Sequence, residues 1–212
     1  MLFNREKKRN ILLDLDGTLI NSADSVLRSL ESALQENGFP IQSGLSKTII
    51  GPPINEIINS LLPEASDKII ALVKNSFFDI YDKKNCVDCQ IYEGAIEFLN
   101  NMQALDRDIF LVTNKRERPT KEILLKHGLN KYFKNIYSID SVYKHSIKSK
   151  ANLLSYIKEK ESLDYSESIY IGDTAGDYLA CTRNRLDFIF AEWGYGSSVN
   201  LDCLKASSFF EI

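Results

Sequence analysis

Asn10-Ile11-Leu12-Leu13-Asp14 is a short apolar run that ends on a carboxylate, the pattern of a buried parallel strand whose carboxyl end opens onto a site. Runs of the same kind recur at residues 109–113, 168–173 and 188–191. The second and third also end in polar residues and are followed by helical periodicity. Strands alternating with helices predict an α/β fold with a doubly wound parallel sheet, in which ligands gather at the carboxyl ends of the strands. Between the first strand and residue 109 the pattern changes. Residues 23–35, 53–62 and 67–81 carry apolar side chains at helical spacing, and Gly51-Pro52-Pro53 interrupts them midway. The reading is therefore a core formed by residues 1–21 and 91–212, with an inserted α-helical unit over residues 22–90. No internal repeat points to a solenoid.

Composition narrows the function classes. A hydrophobic fraction of 44% and a charged fraction of 26% are those of a folded globular chain. A net charge of -3 gives no field to hold a polyanion, and the Arg5-Glu6-Lys7-Lys8-Arg9 cluster reads as a solvated tail, so no nucleic-acid partner is expected. No apolar run reaches the ~20 residues of a membrane span, and the first residues lack a signal-peptide pattern. No membrane partner and a cytoplasmic location are expected. Cys86, Cys89, Cys181 and Cys203 are too few and scattered for a disulfide framework. Cys86-x-x-Cys89 has half of a zinc spacing, but no second pair accompanies it, and His127 and His145 lie far along the chain.

The residues that carry chemistry stand at the strand ends. Asp14 and Asp16 are two apart, with Gly17 and Thr18 next. In extended backbone such residues point the same way, so both carboxylates can face one pocket while Gly17 lets the chain turn. Two acids that close imply a bound hard cation or one retained proton. An ionised Asp14 is then a candidate nucleophile and Asp16 a candidate proton carrier. Alone, Asp-x-Asp-Gly is equally a loop-forming turn. Gly172-Asp173-Thr174-Ala175-Gly176-Asp177 repeats the theme, and Asp173 and Asp177 can face the same mouth if a helix starts near Thr174. Carboxylates gathered there suit Mg2+; the plainer reading of Asp173 is a helix N-cap. Thr113 and Asn114 follow another strand and can form a phosphate cradle or merely cap a helix. Lys148 and Lys150, just before an amphipathic helix, are candidate cations for a phosphoryl group, though most lysines so placed are solvated.

In their order along the chain, these four segments resemble the haloacid dehalogenase superfamily. Asp14-Leu15-Asp16-Gly17-Thr18-Leu19 resembles its first motif, Thr113-Asn114 its second, a lysine near 150 its third, and Gly172 to Asp177 its fourth. The helical insertion stands where that superfamily places a C1-type cap. Gly51-Pro52-Pro53-Ile54, Tyr92-Glu93-Gly94, Val112-Thr113-Asn114-Lys115 and Trp193-Gly194-Tyr195-Gly196 are similar to the phosphoglycolate phosphatase-like branch. The resemblance implies Asp14 as a nucleophile that forms an aspartyl-phosphate and Asp16 as general acid and base. It implies Mg2+ held by Asp14, the Asp16 backbone carbonyl, Asp173 and Asp177, with phosphoryl oxygens on Thr113, Asn114 and Lys150. The sequence departs from the pattern in two places. Lys148-Ser149-Lys150-Ala151 lacks the proline that often follows the lysine, and Asn184-Arg185 replaces a small Ala-Gly pair, with Asn184 able to adopt a left-handed C-cap.

The expected activity is hydrolysis of a small-molecule phosphate monoester. A phosphomutase would share the aspartyl-phosphate but hand it to a sugar hydroxyl, and Thr18 after Gly17 leans toward the hydrolase. A non-catalytic regulatory protein on the same scaffold is a third reading. Phosphoglycolate, nucleotides, sugar phosphates and pyrophosphate are all open as substrates, as is the role of cap residues such as Arg28 and Asn55. Neither monomer nor dimer is favoured.

Overall fold

The computed structural model describes residues 8–141, 147 and 149–212, apart from the Lys84 side chain. Lys148, His145 and Arg5 to Lys7 of the basic cluster lie outside the described residues. Six parallel strands run in the order β5-β4-β1-β6-β7-β8: β1 (Asn10–Leu13), β4 (Asp108–Thr113), β5 (Asn135–Ser138), β6 (Ser168–Gly172), β7 (Asp187–Ala191) and β8 (Leu204–Ala206). β1 is central, with Leu13 in register with Leu111 of β4 on one side and Ile171 of β6 on the other. The chain winds outward from β1 through β4 to β5, then returns to β6 and continues to β8. The reversal at β1 is a topological switch point, and it places the carboxyl ends of β1, β4 and β6 around one crevice.

Alternation along the strands builds two cores. Ile11, Leu13, Ile109, Leu111, Ile169 and Ile171 face one side of the sheet, where they meet α4 (Ala95–Ala104) and α5 (Glu117–Lys126). Leu12, Phe110, Val112 and Tyr170 face the other, against α6 (Lys150–Lys160) and α7 (Ala175–Asn184). Both faces are covered by helices, which is why these strands read as continuous apolar runs.

The expected helical stretch forms α1 (Ala23–Glu36), α2 (Ile54–Leu61) and α3 (Asp67–Ile80), the last running into a π-helical turn over Tyr81–Asn85. Leu30, Leu34, Ile58, Val73 and Phe77 pack together in a third apolar cluster of their own. β2 (Ile20–Asn21) and β3 (Gln90–Ile91) pair antiparallel where the chain leaves and re-enters the α/β layer.

One local expectation is corrected. The left-handed residue at the end of α7 is Arg185, at φ +54°, and not Asn184. Asn184 stays helical because its side chain joins α7 to α6: Nδ2 donates to the carbonyls of Ala151 (3.0 Å) and Ala180 (2.9 Å), and Oδ1 accepts from Ser155 Oγ (2.8 Å). Those bonds hold it in place, so the turn falls on the exposed arginine.

Candidate active site

Asp14 is the first residue past β1, and its N–H still donates to the Ile171 carbonyl at 3.0 Å. The strand therefore delivers its carboxylate, 5% exposed, into the mouth between β4 and β6. Burial is the main reason its pKa rises to about 7; Lys150 opposes the rise and Asp177 adds to it. Asp14 Oδ1 accepts no hydrogen bond of ordinary geometry, and Lys150 Nζ stands 3.1 Å away as an ion-pair partner. A buried, negatively charged oxygen left without a donor is costly unless a cation completes it.

Asp173 and Asp177 supply the neighbours. One carboxylate oxygen from each of Asp14, Asp173 and Asp177 lies within 4.8 Å of the others, and all three residues are buried. Asp173 is not an N-cap. That position belongs to Thr174, which closes a capping box with Asp177: Asp177 N–H donates to Thr174 Oγ1 at 3.1 Å, while Asp177 Oδ2 accepts from Thr174 N–H (3.1 Å) and Oγ1 (2.6 Å). Asp173 is held from two sides instead, by Thr18 Oγ1 at 3.2 Å and the Tyr195 N–H at 2.8 Å. Its pKa stands well above the usual carboxylate range, through burial first and then through Asp177 and Asp14. Glycines make this packing possible. A Cβ on Gly17 or Gly194 would run into the Asp173 carboxylate, and Gly17 also has φ +79°, which favours glycine.

Lys150 opens α6, whose N-cap Ser149 accepts from the Asn152 N–H at 3.3 Å. Its ammonium contacts both Asp177 and Asp14. Burial works against that charge, but Asp14 and then Asp177 outweigh it and hold the pKa above the ordinary lysine value. Of the two candidate lysines, Lys150 thus stands among the carboxylates.

Asp16 lies apart from that trio. Its Oδ1 accepts from Lys115 Nζ at 3.0 Å and from the Ser22 hydroxyl. The Lys115 side chain is nearly as buried as that of Lys150; desolvation works against its charge, but Asp16, then Tyr81, hold its pKa above the ordinary lysine value. Lys115 follows Thr113-Asn114 directly and was assigned no role from sequence, since a lysine at a helix entrance ordinarily points to water. Thr113, 2% exposed, ends β4, and its Oγ1 accepts from the Lys115 N–H at 3.1 Å. Asn114 Nδ2 donates to the Gly51 carbonyl at 3.0 Å, which ties the β4–α5 loop to the helical insertion. Sequence reading also missed Ser22, Thr174 and Tyr195, whose backbone and hydroxyl groups hold the carboxylates.

Asp14, Asp16, Thr113, Asn114 and Lys115 form one wall of a cleft, open to solvent, whose opposite wall comes from α1, α2, α3 and the Gly51 loop. The cysteine pair lies elsewhere. Cys86 Sγ contacts Glu122 Oε2 at 3.2 Å and Cys89 Sγ contacts His127 Nε2 at 3.4 Å. Among the described residues, Asp14, Asp173 and Asp177 are the only set of three or more acidic, Cys or His groups close enough to share a metal ion.

Comparison with known proteins matches this sequence to a family. The model for haloacid dehalogenase-like hydrolases matches residues 11–191. The chain belongs to that family. It is 27% identical over 194 residues to a phosphoglycolate phosphatase of Vibrio vulnificus, covering 87% of this chain and 84% of that one. It is 24% identical over 199 residues to the tyrosine-protein kinase PtkA of Mycobacterium tuberculosis, covering 93% of this chain but 66% of PtkA. The solved structure of a predicted phosphatase from Clostridium acetobutylicum superposes with a TM-score of 0.87 at 23% identity, covering 96% of this chain and 95% of that one. Among the described residues no helix is long and apolar enough to cross a membrane.

Proposed function

We propose that the chain is a Mg2+-dependent phosphatase that hydrolyses a small-molecule phosphate monoester through an aspartyl-phosphate on Asp14, in the manner of phosphoglycolate phosphatases. The observation that carries this reading is the buried trio of Asp14, Asp173 and Asp177, with an Asp14 oxygen lacking a donor beside Lys150. All-oxygen donors of high negative charge fit Mg2+ better than zinc or copper. Asp14, Asp173, Asp177 and the Asp16 carbonyl would hold the ion. When bound, it neutralises charge on the phosphoryl oxygens and on the nucleophile.

The side chains then divide the work. An Asp14 oxygen attacks phosphorus, and the bond from phosphorus to the ester oxygen breaks. Asp16 gives a proton to that oxygen, so an alcohol leaves. Water next attacks the phosphorus of the aspartyl-phosphate while Asp16 takes its proton, and the bond to Asp14 breaks to release inorganic phosphate. Lys150, Thr113 and the Asn114 backbone bind the transferring oxygens. Residues 22–90 act as a cap over a core of residues 1–21 and 91–212. Supporting that division are the separate apolar cluster of the three helices and the β2–β3 ribbon at the junction. A closed cap keeps bulk water from the site until the alcohol has left. The test is phosphate release from a panel of phosphorylated metabolites with and without Mg2+. Loss of release in Asp14→Asn is expected; undiminished release in that variant would overturn the reading.

A further inference from the structure

We propose that the alcohol portion of the substrate is an uncharged, apolar group of about ring size rather than a carboxylate-bearing one. This inference rests on the phosphatase reading and concerns the part of the cleft beyond Asp14 and Thr113. There the helical insertion contributes Val26, Ile50, Ile54, Ile57, Phe77 and Tyr81. Among the described residues, no side chain that the insertion contributes to this lining carries a charge. Tyr81 brings the insertion's hydroxyl to the lining, and burial pushes its pKa up to about 12, so it stays neutral.

Two cations do reach the cleft, both from the β4–α5 loop, and both are committed. Lys115 pairs with Asp16 at 3.0 Å and lies 4.7 Å from the Tyr81 ring centre. Arg116 pairs with Asp82 at 2.6 Å and stacks on Phe78, 3.4 Å from its ring centre. A substrate carboxylate brought here would have to displace one of these partners or stay unpaired against hydrocarbon, and an unpaired buried charge is strongly disfavoured. Arg28, the cationic cap residue that stood open from sequence, offers no alternative: it is exposed, paired with Asp88 and outside the lining. An apolar ring instead gains by burial against the same wall.

The experiment compares benzyl phosphate, ethyl phosphate and 2-phosphoglycolate, whose leaving groups are all alkyl oxygens, so differences report recognition more than intrinsic reactivity. With the full chain and Mg2+, kcat/KM for benzyl phosphate should exceed that for ethyl phosphate by at least about tenfold, mainly through KM. Phosphoglycolate should rank no higher than ethyl phosphate. Ile54→Arg, which adds a cation to the lining, should narrow the ratio of benzyl phosphate to phosphoglycolate by about tenfold or more. A wild-type enzyme that prefers phosphoglycolate, or does not distinguish the three, would overturn the inference while leaving the phosphatase reading intact. An Ile54→Arg enzyme that folds and keeps the wild-type ratio would also overturn it. If that variant fails to fold, the wild-type ranking decides. Phosphate release from none of the esters would remove the phosphatase reading and the inference together.

Discussion

Asp14 and Asp16 stand two residues apart, yet each has its own lysine. Asp14 faces Lys150 within the acidic trio, and Asp16 faces Lys115 beside Tyr81. This separation gives the two carboxylates different environments, as the proposed division into nucleophile and proton carrier requires. Lys115→Met keeps the length of the side chain but removes the Asp16 partner. It should lower kcat by roughly ten- to a hundredfold with a smaller change in KM, because a misplaced proton carrier slows chemistry more than binding. Steady-state kinetics on a benzyl or ethyl ester checks this. The grouping of Asp14, Asp173, Asp177 and Lys150 was legible in the order of their four segments along the chain, although each segment alone had a plainer reading as a turn, a cap or a solvated lysine. Lys115 was not. Its burial depends on Tyr81 at the end of α3, a contact across the junction with the insertion that no local pattern announces.

At the scale of elements, the central strands and long helices were readable from periodicity to within a residue or two. β5, β8 and the β2–β3 ribbon were not, since they are two to four residues long, edge or isolated pairs, and partly exposed. The end of α7 shows a different limit. Sequence places the left-handed turn near Asn184-Arg185, but which residue takes it depends on the bonds that Asn184 makes to α6. Arg185 thus carries φ +54° without the freedom of glycine. Arg185→Gly should stabilise the protein by about 0.5–1 kcal/mol, the left-handed strain relieved less the added unfolded-chain entropy. That corresponds to a rise in Tm of about 1–4 °C by thermal denaturation. A fall in Tm would mean that the arginine side chain contributes more than its backbone costs.

Across the whole molecule, the acidic trio concentrates buried negative charge that bound protons or, in the proposed mechanism, a cation would offset. Burial and neighbouring carboxylates raise the pKa of Asp14 from 3.8 to about 7 and that of Asp173 above its ordinary value as well. The folded metal-free protein therefore holds these protons more tightly than the unfolded chain. That contribution to stability is complete below the unfolded value of 3.8 and is lost as pH rises through the folded values, near 7 for Asp14. Mg2+ should substitute for the protons. The stabilisation by Mg2+ relative to EDTA, followed by thermal denaturation, should be small near pH 6 and grow toward pH 8, approaching about 2.7 kcal/mol at a hundredfold excess over Kd. A difference that shrank with rising pH would contradict the assignment of the trio as the metal site. The acid-quenched enzyme during turnover with Mg2+ tests the central claim most directly, by locating the phosphoryl group through peptide mass analysis. An adduct on Asp14 that is absent from Asp14→Asn is expected, whereas an adduct on another residue, or phosphate release at full rate from Asp14→Asn, would contradict the proposed mechanism.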